Sequence, residues 1–126
     1  MMTNRICAVA AAAALAIFGA AAPASAAPFD GSWNMALVTT SGHCGVIKMG
    51  MAVNRGHISS TSGRFVMHKI FLNGLISGTG QTTINGVAGP RLAKGVGHFT
   101  RAKGSGKWNG TGPSGVCSGY WVATRG

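Results

Sequence analysis

Trp33-Asn34-Met35-Ala36-Leu37 and Val46-Ile47-Lys48-Met49-Gly50-Met51-Ala52-Val53 decide the fold class. In the first stretch Trp33, Met35 and Leu37 share one face, opposite Ser32, Asn34 and Ala36. In the second, Ile47, Met49, Met51 and Val53 lie opposite Lys48. Alternation with a period of two belongs to a half-buried strand; a helix repeats every 3.6 residues.

The same reading extends outward. Arg64 to Leu72 reads as one longer strand, with Val66, His68, Ile70 and Leu72 on one side and Phe65, Met67, Lys69 and Phe71 on the other. Asn73-Gly74 then reads as a two-residue hairpin turn, because both residues tolerate φ > 0, with Leu75 to Thr79 returning. Thr82 to Val87 is expected to pair locally through Asn85-Gly86. Val96 to Arg101 and Gly106 to Thr111 make a hairpin around Ala102 to Ser105. Val116 to Thr124 ends the pattern, with Cys117, Trp121 and Ala123 alternating against Ser118, Tyr120, Val122 and Thr124. Glycines recur between these stretches and read as turn residues. The expected fold is all-β: a single antiparallel meander of about seven to nine short strands, closed into a small barrel or left partly open. Closure sets the first strand beside the last, puts Trp33 and Trp121 in one core, and brings Cys44 and Cys117 to the seam.

Residues 1–26 have a different character. Arg5 precedes an apolar run from Ile6 to Ala22, broken by Gly19, and Ala24-Ser25-Ala26 offers small residues for cleavage. This is the layout of a cleavable helical signal peptide, with processing expected before Ala27. The run is shorter than the ~20 residues of a membrane span, and no later segment is apolar for long enough. The organisation expected is thus a signal peptide at 1–26 and a small β-barrel domain at 27–126, secreted or periplasmic. Cys7 leaves with the leader. Cys44 and Cys117 remain, and in an exported chain an even pair reads as a disulfide, the alternative being two free thiols or a metal pair. The bridge closes a loop of more than seventy residues.

After residue 26 the chain has ten Lys and Arg against one acid, Asp30, a net charge of +9 with histidines neutral. That balance suits an anionic partner (lipopolysaccharide, acidic polysaccharide or a surface protein) or simply a solvated basic surface. The cations form no continuous run, so no specific nucleic-acid motif is indicated.

Phe29-Asp30-Gly31-Ser32-Trp33 at the start, Cys44 soon after, and Cys117-Ser118-Gly119-Tyr120-Trp121-Val122-Ala123-Thr124-Arg125 at the end make a recognisable frame. It resembles a group of small exported proteins of rhizobia and related alphaproteobacteria that share F-D-G-x-W and C-x-G-x-W-x-A-x-R. Some of these carry names suggesting haem utilisation or adhesion. The resemblance implies an exported protein and transfers no catalytic residue. This chain is richer in Met and His than that pattern.

Catalytic sets are missing. Asp30 has no partner for paired-carboxylate chemistry, and no G-x-S-x-G elbow appears. Gly78-Thr79-Gly80 and Gly95-Val96-Gly97 read as strand-and-turn glycines, with no phosphate loop opening a helix. His43, His57, His68 and His98 show no ligand spacing. His68 with Met49, Met51 and Met67 admits two readings: haem or copper ligands, or core methionines beside a surface histidine. Trp108 also admits two, a packed hairpin aromatic or a stacking platform beside Arg101, Lys103 and Lys107. The expected function is a non-enzymatic exported binding protein for an anionic or cell-surface partner. The alternatives are a carrier of haem or a small apolar ligand in the barrel interior, and an inhibitor of a secreted enzyme.

Overall fold

The computed structural model describes residues 27–126, so the signal peptide expected at 1–26 lies outside the described residues. A short 3-10 turn, Ala27–Phe29, leads into ten strands: β1 Gly31–Ser41, β2 Val46–Asn54, β3 His57–Ser62, β4 Arg64–Phe65, β5 His68–Lys69, β6 Phe71–Ile76, β7 Gln81–Ala88, β8 Arg91–Phe99, β9 Lys103–Gly112 and β10 Gly115–Arg125. Eight of them close into one antiparallel barrel, ordered β1-β10-β9-β8-β7-β6-β3-β2, and β4-β5 form a separate small hairpin. The barrel is a pure meander. Each strand pairs with its neighbour in the chain, with β4-β5 inserted between β3 and β6. Among the described residues no helix is long and apolar enough to cross a membrane.

Closure follows the expected seam. β1 and β10 run antiparallel, with Leu37 opposite Trp121 and Trp33 opposite Arg125. Cys44 and Cys117 are bonded across it, with their Cα atoms 6.2 Å apart. Trp33 and Trp121 are both buried and meet through Phe99, whose ring centroid lies 4.8 Å from one and 5.7 Å from the other.

Several local expectations are corrected. Arg64 to Leu72 is not one strand. Val66 and Met67 take φ of 47° and 69°, which turns the chain and leaves the short β4-β5 hairpin. Asn73-Gly74 makes no turn: it lies inside β6, paired with Asn85 and Ile84. Asn85-Gly86 likewise lies inside β7. The real connections are Ser77–Gly80, where Gly80 N–H donates to the Ser77 carbonyl, and Thr100–Ala102, where Thr100 Oγ1 accepts from Ala102 and Lys103 N–H. β3, at His57–Ser62, has too few apolar residues to stand out in the sequence; only Ile58 faces inward and is fully buried.

Two strand glycines make room for the core. Gly97 and Gly106 face each other across β8 and β9. A Cβ on either would collide with both the opposite backbone and the Trp121 indole. These positions are empty so that a large ring fits in a narrow barrel, a packing of small against large that small barrels require. They are not turns.

Candidate functional site

Antiparallel order sorts every loop to one of two ends. The closed end collects the chain entry at 27–30, the turns at 55–56, 77–80 and 100–102, and the C-terminus. The open end collects the disulfide loop at 42–45, the β4-β5 hairpin, Gly89-Pro90 and Pro113-Ser114.

At the closed end Arg125, Trp33 and Asp30 find their partners within the chain. Arg125 donates from Nε to the Arg101 carbonyl at 2.9 Å, from Nη1 to the Asp30 carbonyl at 2.6 Å and from Nη2 to the Pro28 carbonyl at 2.6 Å. Its guanidinium also lies 4.3 Å from the Trp33 ring centroid, an arrangement favoured by the ring quadrupole. Trp33 Nε1 donates to the Phe29 carbonyl at 2.8 Å, and Asp30 Oδ1 accepts the Arg55 N–H at 2.9 Å. The Phe29-Asp30-Gly31-Ser32-Trp33 motif and Arg125 are therefore a clasp that ties the start of the first barrel strand to the end of the last.

The open end is apolar and hollow. A cavity of about 70 Å³ opens there, lined by Leu37, Met49, Ile70, Leu72, Trp108 and the Cys44–Cys117 bridge among others. A second void of about 20 Å³ lies deeper, bounded by Trp108, Trp121 and Ile84. Trp108 sits between the two, buried, with Nε1 donating to the Val38 carbonyl at 3.2 Å. At the mouth Arg91 lies 5.2 Å from the Phe65 ring centroid, and Lys69 lies 5.2 Å from that of Phe71. The single acidic side chain, Asp30, belongs to the opposite end.

The residues proposed from sequence do not gather as one surface. Trp108 faces the interior, not solvent. Lys107 points outward from the middle of β9, opposite Val96 and Tyr120. Arg101 and Lys103 lie at the closed end, where Arg101 lends its carbonyl to the clasp. Strand alternation explains the separation, because Lys107 and Trp108 are neighbours on opposite faces. All four histidines are exposed. His98 Nε2 lies 2.9 Å from the Thr79 carbonyl, and His68 stands beside Gly89. Met49 and Met51 are buried, whereas Met67 is exposed at the hairpin tip, so the suggested His-Met set is dispersed. Among the described residues no group of three or more His, Cys, Asp or Glu is placed to hold a metal ion.

Sequence reasoning missed the residues of the open end: Phe65, Arg91 and Leu92 at the mouth, and Val66, Met67 and Phe71 exposed beside it in the chain. The available signal was Val66-Met67, two bulky apolar residues in a stretch that is mixed on both faces as a strand. Compared with known proteins, the chain matches no family model and no curated protein.

Proposed function

We propose that this is an exported, non-enzymatic binding protein that engages an anionic, surface-associated partner through the open end of its barrel. The observation that carries the reading is an apolar mouth lined in part by Arg91, at the end of the barrel that also carries Arg64 and Lys69, with the one carboxylate side chain at the far end. The signal-peptide layout of residues 1–26 and a disulfide that belongs to oxidising compartments support export. Lipopolysaccharide and acidic polysaccharide are the partner classes the charge favours.

Cavity size decides between holding a ligand and touching one. An apolar chamber of about 70 Å³ is roughly half the ~150 Å³ of an engineered cavity that takes benzene. It accepts the end of an apolar group and leaves the rest outside. A haem macrocycle does not fit it, and the residues around it supply no histidine. The interior-carrier reading is therefore the weaker one.

The test is a titration of the purified mature chain with lipopolysaccharide and with a soluble polyuronate across a range of salt. Binding at low salt that weakens as salt rises is expected, because the attraction is between exposed charges. No binding to either at low salt would overturn the reading.

A further inference from the structure

We infer that the open end docks on the surface of an anionic lipid leaflet, with the Val66-Met67 turn as its inserted tip; this rests on the proposed binding reading and names its partner. Three independent features point the same way.

The first is the tip. Val66 and Met67 occupy the two central positions of a two-residue hairpin turn, both at positive φ. Such turns favour Asn-Gly, and a β-branched residue at positive φ is strained. The chain contains three Asn-Gly pairs and uses all of them inside strands. Here it carries two bulky apolar residues poorly suited to the turn, one of them β-branched, and Met67 is 88% exposed. Backbone strain retained at an exposed apolar position points to a role beyond folding.

The second is the rim. Phe71 lies opposite Val87, Val87 opposite Leu92, Leu92 opposite Thr111, and Thr111 opposite Val116. This is one lateral row on the outer wall at the open end. Phe71, Leu92 and Val116 are 58, 58 and 67% exposed. Exposed apolar side chains gathered along one rim, interrupted only by Thr111, mark a binding face.

The third is charge. Arg64, Lys69 and Arg91 accompany this apolar set, and no acidic side chain belongs to that end. Arg64 Nη1 donates to the Met67 carbonyl at 3.3 Å and steadies the turn from behind. Apolar side chains at the tip with cations behind them match a leaflet, where acyl chains lie below an anionic headgroup layer.

The test compares wild type with the double variant Val66→Asn, Met67→Gly on vesicles of phosphatidylglycerol and phosphatidylcholine in equal parts, and on phosphatidylcholine alone. Wild type should bind the anionic vesicles, lose affinity with salt and ignore the zwitterionic ones. The variant should bind about tenfold more weakly or worse, as expected for losing two inserted side chains. Because Asn-Gly suits the turn, its melting temperature should be no lower than that of wild type. Equal vesicle binding by the two proteins would overturn the inference, as would equal binding to both vesicle types. A second variant, Met67→Trp, adds an exposed indole to three buried ones. Its emission should move to the blue on anionic vesicles, and an unmoved spectrum on bound vesicles overturns the tip assignment. Wild type that binds a soluble polyuronate but neither vesicle type leaves the proposed function standing and defeats the docking surface. Binding to none of these at low salt defeats both.

Discussion

At the closed end of the barrel Arg125 gives all three of its nitrogens to backbone carbonyls while its plane covers Trp33. At the open end Arg91 and Lys69 lie over phenyl rings, and the apolar residues around them stand in solvent. Arg125 thus has its hydrogen bonds met inside the chain, whereas Arg91 and Lys69 lie against aromatic faces. Cations whose hydrogen bonds are met inside the chain hold structure together. Cations beside exposed apolar surface, without a carboxylate at their end, remain available to something outside. If that contrast is right, changes at the closed end cost stability and changes at the open end cost binding.

The largest stability loss is expected from Phe99→Ala. Phe99 touches Phe29, Trp33 and Trp121 in one aromatic cluster at the closed end. Emptying such a site costs about 3–5 kcal/mol. A chemical denaturation midpoint that falls with an unchanged slope is the expected result, and a loss below about 1 kcal/mol would mean the cluster is not the keystone. The paired change Cys44→Ala, Cys117→Ala is expected next. Bonded residues 73 apart in sequence stabilise by about 4 kcal/mol in the chain-entropy account, and by 2–4 kcal/mol in typical measurements. Unreduced mass spectrometry should first find the mature chain two hydrogens light, with the two cysteine peptides linked.

Gly106→Ala should destabilise by about 2–3 kcal/mol, since its methyl runs into the Val96 carbonyl and the Trp121 ring. Arg125→Ala should cost less, about 1–2 kcal/mol, because its three hydrogen bonds are partly exposed and the freed carbonyls can turn to water. It should leave vesicle affinity almost unchanged, which separates it from changes at the tip. A vesicle affinity that falls with the clasp would mean the two ends are coupled.

The barrel was legible where side chains obey the period of two. Trp33 to Leu37, Ile47 to Val53 and Cys117 to Ala123 carry enough apolar mass for one face to be recognised, and the seam and disulfide follow from them. Legibility failed where glycine does two jobs. Asn73-Gly74 and Asn85-Gly86 have turn composition, yet Gly74 and Gly86 sit inside β6 and β7. Nothing local distinguishes a glycine that bends the chain from one that lies inside a strand, against a neighbouring backbone as at Gly74 or beside open space as at Gly86. The mouth was missed for the converse reason: Val66-Met67 has strand composition and makes a turn, with φ above zero at both residues. The basic cluster with Trp108 dissolved because adjacency in sequence means opposite faces in a strand.

The smallest effect expected is also the one that changes sign. Gly86 has no positive φ, and a Cβ built there meets only Leu72 Cδ1 at 3.7 Å and the Phe71 carbonyl at 3.8 Å, ordinary contact distances. It borders both interior voids. Gly86→Ala therefore adds a methyl to space that is empty and removes freedom from the unfolded chain. A gain of about 0.5–1 kcal/mol is expected from the backbone alone, read as a higher denaturation midpoint. Gly106→Ala, two strands away, should lose stability by the same measurement. If Gly86→Ala also destabilises, the void beside Trp108 is already filled by side-chain motion, and the mouth of the barrel offers only its rim to a partner.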